Sequence, residues 1–128
     1  MTTDRTTIHS QRAPAPVGPY SQAVRSAGML FVSGQLGMDP ATAEPAAGVE
    51  AQTRLVLKNL VAILEDAGSS PAQVVKTTCF LADMGDFPTF NAIYGEIFAE
   101  DPPARSCIAV KTLPKDALVE IEAIATVP

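Results

Sequence analysis

The 128-residue chain has no tryptophan, a single histidine, two cysteines and only 5% aromatic residues. One histidine and two cysteines far apart in sequence, Cys79 and Cys107, argue against a Cys/His zinc site within one chain, and the cysteines form no CxxC pair. Positive charge is also scarce: nine Lys and Arg stand against fourteen Asp and Glu, for a net charge of −5. That balance argues against a general phosphate-backbone binder, which needs a clustered basic face. No apolar run approaches membrane-spanning length. The polar stretch from Met1 to Arg12 has no apolar segment of the kind a signal peptide needs, so a reducing, cytoplasmic setting is expected. No repeat or low-complexity tract interrupts residues 1–128, which are expected to form one domain.

What is present is a patterned chain, 47% hydrophobic and 18% charged. Residues 1–5 are expected to fray, and Thr6-Thr7-Ile8 suits a short edge strand. Three prolines between Ala13 and Pro19 remove backbone donors and exclude helix or central strand; this loop delivers Tyr20 and Ser21. Ala23–Ser26 and Met29–Ser33 predict a hairpin turning near Ala27-Gly28, followed by a Gly/Pro-punctuated loop from Gly34 to Gly48. Val49–Ala67 predicts a helix, because Val49, Thr53, Val56, Leu57, Leu60 and Leu64 share one stripe at helical spacing, with Gly68 as its stop. Val74–Ala82 is β-branched and strand-like. Asp86 is placed to cap a second helix running to about Ala99, with Pro88 in its first turn and Phe90, Ile93, Tyr94 and Ile97 on its apolar face. Strands are expected from Arg105 and over Ala117–Val127. The order predicts an α+β domain with two helices on one face of a sheet.

Strand alternation in the last segment puts Val119, Ile121, Ala123 and Ala125 on one face, and Leu118, Glu120, Glu122 and Ile124 on the other. In the preceding strand it groups Arg105, Cys107 and Ala109 against Ser106, Ile108 and Val110. If Ile108 faces the helices, Arg105 and Cys107 share the mixed face with Glu120 and Glu122. A mixed apolar and charged face with no helix left to cover it suggests burial against another subunit.

Arg105 cannot shed its charge, and burying it unpaired is costly. It therefore reaches water, meets a carboxylate of the protein, or receives an anionic ligand. Two readings stay open: a structural ion pair with Glu120, or an Arg fork for a substrate carboxylate with Glu120 as general base on a water. Glu122 is either solvated or tied to Lys111 or Lys115. Cys107 lacks a nearby histidine and is either a small buried hydrophobe or a nucleophile whose thiolate is favoured by the field of Arg105; Cys79 belongs in the core. Tyr20 either anchors its loop or offers a hydroxyl. Gly34, after Ser33, permits close approach to backbone. Asn91 is either a surface residue or a ligand group.

Five blocks in order carry a resemblance. They are Gly18-Pro19-Tyr20-Ser21-Gln22-Ala23, Phe31-Val32-Ser33-Gly34-Gln35, Asn91-Ala92-Ile93-Tyr94, Pro103-Ala104-Arg105-Ser106-Cys107 and Leu113-Pro114-Lys115-Asp116 leading into Val119-Glu120-Ile121-Glu122-Ala123. Spread over nearly the whole chain, they resemble the RidA (YjgF) family. The resemblance implies a chorismate-mutase-like fold, a mixed β-sheet with two helices on one face, a homotrimer and pockets at subunit interfaces. It implies a hydrolytic deaminase, free of metal and cofactor, acting on enamines and imines such as 2-aminoacrylate and 2-iminopropionate and releasing a 2-keto acid and ammonia. Carried over by motif, Arg105 holds the substrate carboxylate, Glu120 activates the attacking water, and Cys107 contributes through backbone and packing. Tyr20, Ser33, Gly34 and Asn91 line the pocket. A non-catalytic metabolite-binding module and an RNA-cleaving, translation-inhibiting protein are the competing functions.

Overall fold

The computed structural model describes residues 4–128; residues 1–3, part of the expected frayed end, lie outside the described residues. Ala27 and Gly28 turn the first hairpin, with φ of 54° and 74°, the positive values that a type I′ turn requires at both central positions. The hairpin joins β2 (Ala23–Ser26) to β3 (Met29–Leu36), and β1 (Arg5–Ile8) pairs along the outer side of β2. β4 (Val74–Leu81), β5 (Ala104–Ala109) and β6 (Val119–Thr126) complete a six-stranded sheet of order β1-β2-β3-β6-β4-β5. All neighbours are antiparallel except β4 and β5. A parallel pair needs a crossover, and α2 (Phe87–Ile97) lies within that connection.

α1 (Val49–Asp66) and α2 pack on one face of this sheet, as expected. Val56, Leu57, Leu60, Ile63 and Leu64 of α1 and Phe90, Ile93 and Tyr94 of α2 form one core with Leu30, Val32, Val119, Ile121, Ala123 and Ala125. Each fully buried Leu, Ile or Phe stabilises the fold by about 1.5–3 kcal/mol. A smaller cluster, Leu36, Met38, Leu113 and Ala117 with Phe80 and Val110, lies on the other side of the sheet. Elsewhere that outer face leaves Phe31 and Ile108 each 47% exposed.

Four expectations need correction. Arg5 does not fray with the chain end but opens β1, paired with Ser26. β3 does not stop at Ser33 but continues through Gly34 to Leu36, because a register shift between Val32 and Gln35 lets it stay paired with β6. Asp86 precedes α2 but makes no capping bond. A 3₁₀ turn over Met84–Asp86 runs straight into the helix, and Asp83 caps that turn by accepting from the Gly85 N–H at 2.8 Å. Finally, Ile108 does not face the helices. Cys107 packs against the main core, and its register partner Cys79 is buried there. Arg105 and Cys107 are thus on the helix side, and Glu120 and Glu122 are on the outer side.

Candidate active site

The N-terminal loop is fixed by a buried glutamine. The Gln22 side chain accepts from the Ser10 N–H at 2.6 Å and donates to the carbonyls of Ser10 and Pro14 at 3.1 and 2.8 Å. These bonds hold the proline-rich segment against the start of β2, so the chain emerges with Tyr20 half-exposed rather than packed as a loop anchor. Ser33 secures the other side, its hydroxyl donating to the Ser21 carbonyl at 2.6 Å.

A cleft of about 480 Å³ opens on the outer face, lined in part by Tyr20, Ser33, Gly34, Gln35, Lys115 and Glu120. Glu120 reaches it across the backbone of β3. A Cβ built on Gly34 would stand 2.8 Å from the Glu120 carboxyl carbon, so only glycine leaves room for this carboxylate. Burial pushes the Glu120 carboxyl above its ordinary value, and the neighbouring Glu122 carboxylate pushes it further the same way. A raised carboxylate is a better proton acceptor near neutral pH than an exposed one. Lys115 approaches on a turn of unusual backbone, with φ of 57° followed by 52° at Asp116. Its ammonium donates to the Ala43 carbonyl at 2.9 Å. Neither Lys111 nor Lys115 forms an ion pair with Glu122 among the described residues.

Arg105 is elsewhere. On the helix side it donates to the Asn91 side-chain oxygen at 2.8 Å, and its guanidinium carbon lies 4.7 Å from the Tyr94 ring centre and 5.5 Å from that of Phe87. Tyr94 is itself held by a 2.7 Å hydrogen bond between its hydroxyl and that of Thr77. Stacking on aromatic faces and a neutral amide orients a guanidinium without neutralising it. Arg105 has no carboxylate partner among the described residues, so the structural ion pair with Glu120, one of the two open readings, is absent within the described chain: the sheet separates the two. Cys107, also on the helix side, has its thiol pushed up by burial, with Arg105 pulling weakly the other way.

The structure therefore brings Tyr20, Ser33, Gly34 and Glu120 together in one cleft. It brings Arg105 and Asn91 together, with Cys107 on the same face, in a second group. It does not join the two groups within one chain. Phe87 and Tyr94 as a platform for Arg105, and Gln22 as organiser of the loop, were not visible as site residues. The first two register in sequence only as helix apolar positions, and Gln22 carries no periodic signal. Among the described residues no group of three or more His, Cys, Asp or Glu side chains converges as a metal site, and no helix is long and apolar enough to cross a membrane.

Comparison with known proteins places these features in context. The family model described as Endoribonuclease L-PSP matches residues 10–127. A RutC family protein of Synechocystis sp. is 52% identical over 124 residues, covering 94% of this chain and 95% of the relative. The crystal structure of RidA from an Antarctic Psychrobacter species superposes with a TM-score of 0.93 at 43% identity, covering 95% of this chain and 99% of that one. Escherichia coli TdcF, solved with bound serine, gives a TM-score of 0.92 at 44% identity, with coverage of 96% and 99%.

Proposed function

Because the chain belongs to the RidA (YjgF) family, whose model is described as Endoribonuclease L-PSP, we propose that it hydrolyses reactive enamines and imines of the 2-aminoacrylate/2-iminopropionate class. The products are a 2-keto acid and ammonia. The observation that carries this reading is the Glu120 carboxylate, seated over Gly34 in a cleft and raised in pKa. A charged guanidinium held ready by neutral groups, with no carboxylate partner among the described residues, supplies the second requirement. That the relative TdcF was solved with serine supports a small ligand bearing a carboxylate.

An imine conjugated to a carboxylate is electrophilic once protonated, so the protein needs to orient it, present a water and stabilise charge. Arg105 grips the carboxylate through paired N–H donors, and Asn91 fixes the plane of the fork. Glu120 accepts a proton from water as the water oxygen bonds to the imine carbon. The resulting carbinolamine takes that proton on nitrogen, Glu120 accepts the hydroxyl proton, the C–N bond breaks, and ammonia leaves as the carbonyl forms. Tyr20 and Ser33 offer hydroxyls along the cleft wall, and Cys107 serves through backbone and packing.

Since Arg105 and Glu120 lie on opposite faces of one sheet, the complete site is proposed to form where the Arg105 group of one copy meets the Glu120 cleft of the next. Repeated around a ring, this contact gives a closed cyclic assembly, which we take to be the homotrimer that the family resemblance implies. The incompletely covered outer face, with Phe31 and Ile108 exposed, supports such a contact.

The test is to generate 2-iminopropionate in situ from an amino acid and time its hydrolysis with and without the protein. Acceleration that is lost in Glu120→Gln, while a stable 2-keto acid still binds, supports the deaminase. Retained binding of the keto acid with no acceleration by the parent protein favours a metabolite-binding module. Cleavage of RNA by the parent and not by Glu120→Gln, without imine hydrolysis, favours the nuclease that the family description names.

A further inference from the structure

The two cysteines, 28 positions apart in sequence, are direct register partners: Cys79 of β4 lies opposite Cys107 of the adjacent parallel strand β5. Both are free thiols. Both are on the helix side of the sheet, Cys79 within the main core and Cys107 packed against it. Neighbouring strands are about 4.8 Å apart, inside the roughly 4.4–6.8 Å Cα separation that a disulfide spans. A one-residue slip in either strand would have put the thiols on opposite faces.

We propose that Cys79 and Cys107 are a peroxide-oxidisable pair that closes into a reversible disulfide within the chain. Their unequal surroundings assign the roles. Cys107 is only partly buried, so it meets the oxidant first even though burial outweighs Arg105 and raises its thiol. Cys79 is wholly buried and needs no access to solvent to resolve what forms beside it. The Cys107 sulfur attacks one peroxide oxygen, the O–O bond breaks, and water or an alcohol leaves, making a sulfenic acid. The Cys79 sulfur then attacks the sulfenic sulfur, the S–O bond breaks, and a water carries away the Cys79 proton. Two thiols are oxidised by two electrons and one peroxide is reduced. Burial shields Cys79 from bulk oxidants and pushes its thiol up to about 12, so its attack depends on contact with the sulfenic sulfur and on the departing hydroxide taking its proton. A relaxed bridge sets its Cβ atoms roughly 3.8 Å apart, so closure fixes the spacing of β4 and β5 on the strand that carries Arg105.

The test treats the intact native protein with hydrogen peroxide, alkylates free thiols before and after unfolding, and reads masses without reduction. The expected result is loss of both alkylatable thiols, a mass lower by two hydrogens, and a digest fragment joining residues 79 and 107, all reversed by dithiothreitol. Cys79→Val, which suits a buried strand, should instead stop at a Cys107 sulfenic acid that dimedone traps. Cys107→Ser should leave Cys79 unreacted until the protein is unfolded. The proposal is overturned if the parent behaves like Cys79→Val, with oxygen added to Cys107 and Cys79 still free. It is overturned equally if both thiols survive native treatment, or if the bridge joins different chains. None of these readouts depends on imine hydrolysis.

Discussion

The Glu120 carboxyl occupies the space that a side chain on Gly34 would fill. One residue is on β6 and the other on β3, beside the register shift that carries β3 past Ser33. The glycine thus serves as a seat for a carboxylate rather than as a flexible joint, and its φ is not in the left-handed region.

Gly34→Ala should fold and yet lose activity. The added methyl displaces the Glu120 carboxyl, and misplacement by about 1 Å costs on the order of 100-fold in rate. Imine hydrolysis measured beside circular dichroism checks this; full activity in a folded Gly34→Ala would show that Glu120 does not act from its observed seat.

Arg105→Ala should weaken binding of a 2-keto acid by about 2–5 kcal/mol, the cost of breaking a charge-assisted pair. Arg105→Lys should also be impaired, since an ammonium cannot reproduce the planar fork or its stacking on Tyr94 and Phe87. Calorimetric titration with pyruvate decides the matter, and parental affinity in Arg105→Ala would make the arginine a structural residue.

Subunit mixing tests the two-copy site. Arg105→Ala and Glu120→Gln proteins, each inactive alone, should recover part of the parental rate when unfolded and refolded together, because some interfaces then join an intact Arg105 to an intact Glu120. A mixture as inactive as its components would place both groups in a site built by one chain.

Glu120→Gln should melt higher than the parent at neutral pH even as turnover falls by about 100- to 10,000-fold. The folded chain holds the Glu120 proton more tightly than the unfolded chain, whose carboxyl titrates near the ordinary 4.5. Stability linked to that proton is complete below the unfolded value and is lost as pH rises through the folded one. The advantage of glutamine should therefore vanish in acid below the ordinary carboxylate range. Parental hydrolysis should fall as pH drops through a value above 4.5. Thermal melts and rates across acid and neutral pH report both, and a Glu120→Gln protein that melts lower at neutral pH would contradict the burial cost.

Gln22→Leu should destabilise the fold by about 3 kcal/mol, since it strands the Ser10 N–H and several loop carbonyls without partners. Denaturant unfolding measures it, and a change under about 0.5 kcal/mol would mean that water replaces the side chain.

The helices, the hairpin and the inner face of β6 were legible in sequence because each depends on local periodicity or on a turn residue. Val119, Ile121, Ala123 and Ala125 alternate cleanly, and all four are buried. β5 resisted the same treatment. Cys107 and Ile108 are both apolar, so alternation fixed which residues share a face and left open which face meets the helices. The answer depends on the parallel register with β4 and on the docking of α2, both long-range. The aromatic platform under Arg105 was hidden for a related reason: helical spacing marks Tyr94 as core, and only the packed structure shows that its ring also faces a cation. The Glu120 seat was half-legible, as a glycine after Ser33 that permits close approach. What approaches it, a side chain of the same protein, required the β3–β6 pairing.

The sheet between Arg105 and Glu120 is a single layer of peptide, and side chains do not reach through it. On the two-copy reading, an isolated chain carries a grip with nothing to attack what it holds, and an attacker with nothing held before it. Each is silent alone. Output per chain would then fall on extreme dilution even with every chain folded, so the dissociation constant of the assembly would set the concentration at which the activity switches on, without any inhibitor.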